Sequence, residues 1–277
     1  MNQNTNHKQP MNPNQIEKMK NVELGDTIAV WFSCGAASAV AAKKTIELYG
    51  DIADIRIMNN PIKEEHPDNQ RFLRDVEKWL EVYIEPVVNN KYPSQSCVDV
   101  WEKRKFMSGV AGAPCTLELK KKARQEWEKN NRHDFLVLGF TAEEKKRSDQ
   151  FKKFERENLL PVLIDAGTTK ADCFDIIQQA GLKLPEIYTQ HHYPNANCIG
   201  CVKATSPTYW NHVRNTFPEI FQERAEQSRR IGARLTRVKG QRIFLDELDP
   251  NAKGNPMKVE SFECGIFCGT SPSVNPS

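Results

Sequence analysis

Eight cysteines in a chain of 277 residues are the feature richest in chemistry. Cys198 and Cys201 form a Cys-x-x-Cys pair, with Gly200 permitting the bend between them. That spacing lets two thiolates grip one metal centre or pair as a redox dithiol. Cys115 closes "GAPC" just ahead of a predicted helix, where the helix dipole stabilises a thiolate. Cys115, Cys198 and Cys201 are one short of a full ligand set. Softness and spacing fit an iron–sulfur cluster or zinc, with ordinary buried thiols as the alternative. Cys264 and Cys268 sit close together in "FECGIFCG" near the C-terminus, and Cys268 is the candidate fourth ligand. Cys97 and Cys173 read as core or surface thiols.

A second constellation is "IAVWFSCGAASAVAAKK", from Ile28 to Lys44. An apolar run ends at Ser33, small residues fill a turn, and an alanine-rich helix follows. A turn entering a helix offers free backbone N–H groups and the positive end of the dipole, which suits phosphate. Ser33 and Ser38 add hydroxyls. By pattern alone a plain strand-to-helix corner is the competing reading.

The elements that must position these groups alternate. Strands are expected at residues 28–32, 52–58, 82–88, 135–140 and 160–165. Helices are expected at 36–49, 68–80, 98–106, 116–130 and 142–157, that at 116–130 capped by Thr116. Alternation implies a mostly parallel twisted sheet flanked by helices, an α/β fold. Ligands then bind beyond the carboxyl ends of the strands. Four segments should converge there: the 33–38 turn, "NNPIKEEH" after Met58, the 92–96 loop, and "GFTAEEKKR" after Leu138. From about Lys170 the pattern changes to short helices and loops, a C-terminal lobe. The expected organisation is a polar tail at 1–24, a nucleotide-binding α/β domain at 25–168, a helical lobe at 169–268 and a tail at 269–277.

Composition bounds the rest. The chain is 39% hydrophobic and 27% charged, ordinary for a globular protein. It has no apolar run long enough to span a membrane and no secretory signal, so a cytoplasmic location is expected. A net charge of +3 argues against bulk nucleic-acid binding. The local basic runs "KKKAR" and "EEKKR" read equally as solvated helix faces.

Taken in order, these motifs resemble a known family. "SCGAAS" resembles the PP-loop S-G-G-x-D-S of the adenine-nucleotide α-hydrolase superfamily. Ser33, Gly35 and Ser38 match; Cys34 replaces the second Gly and Ala37 replaces the Asp. "ECGI" at 263–266 resembles the E-C-G-[IL]-H segment of phosphoadenosine- and adenosine-phosphosulfate reductases, with Phe267 at the His position. The resemblance implies an adenine-nucleotide α-hydrolase-like sheet, an adenylyl sulfate or ATP-type nucleotide as ligand, and sulfur or thiol redox chemistry. It implies Cys264 as catalytic nucleophile and a thioredoxin-like reductant as partner. It implies nucleotide contacts from Ser33, Gly35, Ala36, Ser38, Lys120 and Arg147, and an iron–sulfur cluster (4Fe–4S) on Cys115, Cys198 and Cys201. In the loop after the second strand only placement matches, and Asp68 reads as a helix cap or a ligand. Ala37 counts against pyrophosphate cleavage. Two alternatives stand beside this one: an ATP-dependent thiolation enzyme acting on tRNA or DNA, and a non-catalytic nucleotide sensor.

Overall fold

A computed structural model of the chain describes residues 22–109 and 112–257. Strand β1 (Thr27–Phe32) is buried along all but its first residue, as a central strand must be. The helix α1 (Ala36–Tyr49) packs on it through Ala36, Ala39, Val40, Ala41 and Ala42, small side chains that allow close approach. Then come β2 (Asp54–Asn59) and α2 (Asp68–Leu80), whose Phe72, Val76 and Leu80 recur every fourth residue on the buried face. β3 (Ile84–Pro86) follows, then α3 (Cys97–Arg104), where the Ser96 hydroxyl caps by accepting from the Asp99 amide.

Helical backbone resumes at Pro114, a first-turn position that suits proline. A π-helical stretch (Thr116–Lys122) runs into α4 (Ala123–Asn130). β4 (Phe135–Val137), α5 (Lys145–Phe154), β5 (Leu159–Leu160), α6 (Val162–Asp165) and α7 (Lys170–Gln179) complete the α/β layers. The lobe adds α8 (Glu186–Thr189), α9 (Pro207–Thr216), α10 (Pro218–Ile231) and the hairpin β6 (Thr236–Val238) and β7 (Gln241–Ile243).

The five-stranded sheet runs β3-β2-β1-β4-β5, and every pairing is parallel. The chain winds from β1 outward through β2 to β3, then returns to the other side of β1 for β4. The switch therefore falls between β1 and β4, where such sheets open a crevice at the strands' carboxyl ends. Three cores result. Ile28, Val30 and Phe32 face α1 and α7. Ala29 and Trp31 face Trp127 and Phe151 on the opposite side. The third core lies under the lobe and holds Trp101, Leu119, Trp210 and four cysteines.

The structure departs from the expected elements in several places, and the strands expected at 82–88 and 135–140 span only Ile84–Pro86 and Phe135–Val137. The strand expected at 160–165 is only Leu159–Leu160, because Pro161 brings no N–H to the ladder and a short helix follows. Thr116 is not a cap; it is buried inside the helix that Pro114 opens. The hairpin in the lobe was not expected, and its turn residues Lys239 and Gly240 both take positive φ, as a two-residue hairpin requires. α7 extends the helical layer past residue 168, with Cys173 and Ile177 in the same core as β1. Among the described residues no helix is long and apolar enough to cross a membrane.

Candidate functional site

The turn after β1 is held by its own serines. The Ser38 hydroxyl accepts from the Ser33 amide at 3.1 Å and donates to the Gly35 carbonyl at 2.9 Å. Gly35 caps α1 without a side-chain hydrogen bond. Cys34 lies in the left-handed region at φ 56°. Glycine takes this conformation without strain, whereas a side chain there costs energy. The Cys34 thiol is buried and accepts from Asn59 Nδ2 at 3.5 Å. Burial, reinforced by Glu65, pushes the thiol well above its ordinary range, which disfavours the thiolate. Cys34→Gly trades about 1–2 kcal/mol of left-handed strain against a small buried side chain worth a similar amount. Its melting stability should therefore stay within about 1 kcal/mol of the parent.

Opposite this turn, Gly139 follows β4. A Cβ there would stand 2.8 Å from the Ser38 amide nitrogen and 2.9 Å from its Cα. Only glycine lets the two chain segments meet. The crevice between them is lined by Ser33, Gly35, Ala37 and Ser38 from the first turn and by Leu138, Gly139 and Phe140 from the second. Five cationic side chains line it as well: Lys120, Lys121, Arg124, Arg147 and Lys170. No carboxylate is among the described lining residues. The carboxylates that fix the cations lie off the wall. Glu65 holds Lys120 at 3.2 Å, Glu155 holds Lys121 at 3.3 Å, and Glu144 holds Arg147 at 2.5 Å. One buried donor of a lining residue, Trp31 Nε1, has no hydrogen-bond partner, while Arg124 Nε pairs with the Glu128 carboxylate at 3.5 Å. An anionic ligand with an apolar end fits such a wall.

Lys170 is held by neutral oxygens, the Pro194 carbonyl at 2.5 Å and Asn195 Oδ1 at 2.8 Å. Burial lowers its pKa to about 8, against the opposing pull of Glu144, Cys173 and Glu143. An anion beside it favours the charged form. Affinity for an anionic ligand should thus be full below that pH and weaken as pH rises through it, by up to about tenfold per unit. Calorimetric titration at pH 7 and pH 9.5 reads this, and Lys170→Gln should flatten the difference.

Three of the four segments expected to converge do so; Asn60 represents the loop after β2. The 92–96 loop instead packs in the lobe core, with Tyr92 buried there. Ser33, Gly35, Ser38, Lys120 and Arg147, expected as nucleotide contacts, line the crevice. Ala36 does not: it is fully buried, and its amide points at the Tyr188 phenol, which lies over the turn. Asp68 is no ligand, since its carboxylate binds Arg71 at 2.6 Å and the Glu186 amide at 2.9 Å. Arg124, Lys170, Tyr188 and Asn195 were not anticipated. The signal for Lys170 was its place directly after the capping residue Thr169 at the mouth of α7.

The second chamber adjoins the first. Cys97, Cys115, Cys198 and Cys201 line it with Ile62, Trp101, Thr116, Lys120 and Val202. Thr116 and Lys120 line both chambers. All four thiols are buried, at 3–8% exposure. Cys97 Sγ lies 3.9 Å from Cys198 Sγ. Neighbouring Cys115 and Cys198, then burial, hold the Cys97 thiol protonated well above its ordinary range. Among the described residues no group of three or more His, Cys, Asp and Glu side chains is arranged to hold a metal ion. Cys97 was read as a core or surface thiol; the structure makes it the fourth cysteine of this chamber. Cys264 and Cys268 lie outside the described residues.

Glu64 ties the chamber together. Its carboxylate accepts from Ser96 Oγ at 2.6 Å and the Cys97 amide at 2.7 Å, at the start of α3. Its carbonyl accepts from the Ile199 amide at 2.9 Å, inside the Cys-x-x-Cys loop. One residue thus orients both cysteine-bearing segments. Tyr209 adds a contact, its hydroxyl accepting from the Cys201 amide at 2.7 Å. Comparison with models of known protein families finds no match for this chain, and no curated protein matches it.

Proposed function

We propose that this chain is a sulfonucleotide-reductase-like enzyme that binds an adenine nucleotide in the cationic crevice and carries an iron–sulfur cluster in the adjoining cysteine chamber. The observation that carries the proposal is the sharing of Thr116 and Lys120 between a crevice walled by five cations and a chamber walled by four buried cysteines. The donor set fits the cluster: four soft thiols, buried, in an otherwise largely apolar wall. A polynuclear cluster takes a thiolate at each of several corners, so its ligands need not meet at one point. Cys97, Cys115, Cys198 and Cys201 would hold it. When bound, it supplies a redox-active, charged group beside the nucleotide.

This chain's own residues do the remainder. The crevice cations offset phosphate and sulfate charge, arginine doing so bidentately. Trp31, Leu138 and Phe140 supply apolar wall for a base. Ala37 lines the crevice where the PP-loop pattern has Asp, which favours sulfonucleotide over pyrophosphate chemistry. In the proposed reaction the Cys264 thiolate attacks the sulfate sulfur of an adenylyl sulfate. The S–O bond to the nucleotide breaks, AMP leaves with that electron pair, and an S-sulfocysteine remains. A thioredoxin-like dithiol then attacks the cysteine sulfur; sulfite leaves and the dithiol ends as a disulfide.

The test is turnover of adenylyl sulfates with a dithiol reductant under anaerobic conditions. Sulfite and AMP should appear with the parent and vanish with Cys264→Ser, while nucleotide binding persists. ATP cleavage to AMP and pyrophosphate would replace the proposal with nucleic-acid thiolation. Binding with no turnover of either nucleotide would replace it with a sensor.

A further inference from the structure

The lobe buries an entire arginine against the cysteine chamber. Arg224, on α10, is 2% exposed. Its guanidinium stacks 4.3 Å above the ring of Trp101, itself a wall of the chamber. Its Nε lies 3.7 Å from where a Cβ on Gly200 would stand, and Gly200 lies in the loop that carries Cys198 and Cys201. Gln227 accepts one guanidinium N–H and donates in turn to the Val98 carbonyl at 3.3 Å and to Glu102 at 3.1 Å. Arg224 Nε has no hydrogen-bond partner.

A buried cation with no carboxylate in direct contact is costly, and arginine cannot shed its charge. The ionisable groups that act on it are Glu64, Cys97, Cys198 and Glu223. Glu64 attracts Arg224 most among these, but its carboxylate accepts from Ser96 and the Cys97 amide and makes no contact with the guanidinium, and Glu223 is on the surface. A further anion would lie in the chamber itself, where four thiolates around a cluster would carry net negative charge.

We infer that Arg224 is the built-in counter-cation of the cysteine chamber, a positioning and tuning residue that favours the reduced, more negative state of the cluster there. The inference rests on the cluster reading above. Reduction adds one negative charge at a buried site, and a fixed cation stabilises that state more than the oxidised one. Gln227 and Trp101 hold the guanidinium in place, so its charge cannot swing to solvent.

The experiment compares full-length parent, Arg224→Met and Arg224→Lys, each loaded anaerobically with iron and sulfide. Iron per chain is measured, then reduction is followed by visible absorbance and electron paramagnetic resonance during a potentiometric titration. Arg224→Met should keep its iron, yet at the parent's midpoint its reduced-to-oxidised ratio should fall at least tenfold, about 59 mV for one electron. Arg224→Lys should stay within threefold of the parent. Loss of iron by the Met variant alone, with the Lys variant loaded at the parent's midpoint, also supports a charge role. An unmoved midpoint in an iron-loaded Met variant overturns the inference. So does like behaviour of the two variants, whether in lost fold, lost iron or shifted midpoint, since the role would then be one of shape. An iron-free parent instead overturns the cluster reading.

Discussion

Cys97→Ser should lower iron affinity at least tenfold, to the same degree as Cys115→Ser, Cys198→Ser and Cys201→Ser. Substituting partners behind metal ligands already costs about 10–100-fold, and a ligand should cost no less. Its place in the chamber makes the expectation specific. Cys97 Sγ lies 3.9 Å from Cys198 Sγ, and both line the cavity with Cys115 and Cys201. Serine preserves the volume, so the helix α3 and its Glu64 contact should survive. Two controls separate ligand loss from general damage. Cys173 is buried in the sheet core, away from the chamber, so Cys173→Ala should cost some stability and no iron. Cys268→Ser should likewise keep full iron, because the chamber already has its fourth cysteine. Iron retained by Cys97→Ser and lost by Cys268→Ser would reverse the assignment. Iron per chain after anaerobic loading and desalting reads all of these.

Gly139→Val should carry the largest effect on the crevice. The atoms a side chain would meet are the amide nitrogen and Cα of Ser38 and the carbonyl carbon of Ala37, at 2.8–3.0 Å. These are backbone atoms of the first helical turn, which no rotamer change can move aside. Overpacking of this kind costs about 1–3 kcal/mol, occasionally more. Moving α1 away from β4 also opens the wall of the crevice. Adenine-nucleotide affinity should fall at least tenfold, about 1.4 kcal/mol. Gly181 is the control: its φ is +75° with nothing within 4 Å. Gly181→Ala should cost about 1–2 kcal/mol of left-handed strain and leave affinity unchanged. Thermal melts and calorimetric titration separate the two effects. Parent-like affinity in Gly139→Val would mean that the crevice is not the nucleotide site.

Much of this arrangement was legible along the chain. The apolar run of β1, the small residues after it and the four-residue spacing of Phe72, Val76 and Leu80 are local signals, and they mark local elements. The crevice followed from the rule that parallel sheets bind ligands beyond the carboxyl ends of their strands. What escaped reading depends on distant partners. Nothing near Cys97 marks it as a chamber residue; its neighbour Cys198 is 101 residues away, and Glu64 joins the two segments from a third place. Lys170 likewise reaches the crevice from the mouth of α7, outside the expected nucleotide domain. The π-helical stretch at Thr116–Lys122 has no composition of its own, yet it lies directly between Cys115 and Arg124 and sends Lys120 to both chambers. Pro161 was a visible breaker, and weighing it would have shortened the expected fifth strand.

The central claim is a cluster chamber built beside a nucleotide crevice. Its most direct test is anaerobic purification, with iron and acid-labile sulfide assayed per chain and the visible spectrum recorded before and after adding an adenylyl sulfate. A brown protein with about four irons and four sulfides, as a Cys₄-bound [4Fe–4S] cluster requires, and a spectrum perturbed by the nucleotide, is the expected result. A colourless, iron-free protein after anaerobic loading would contradict it.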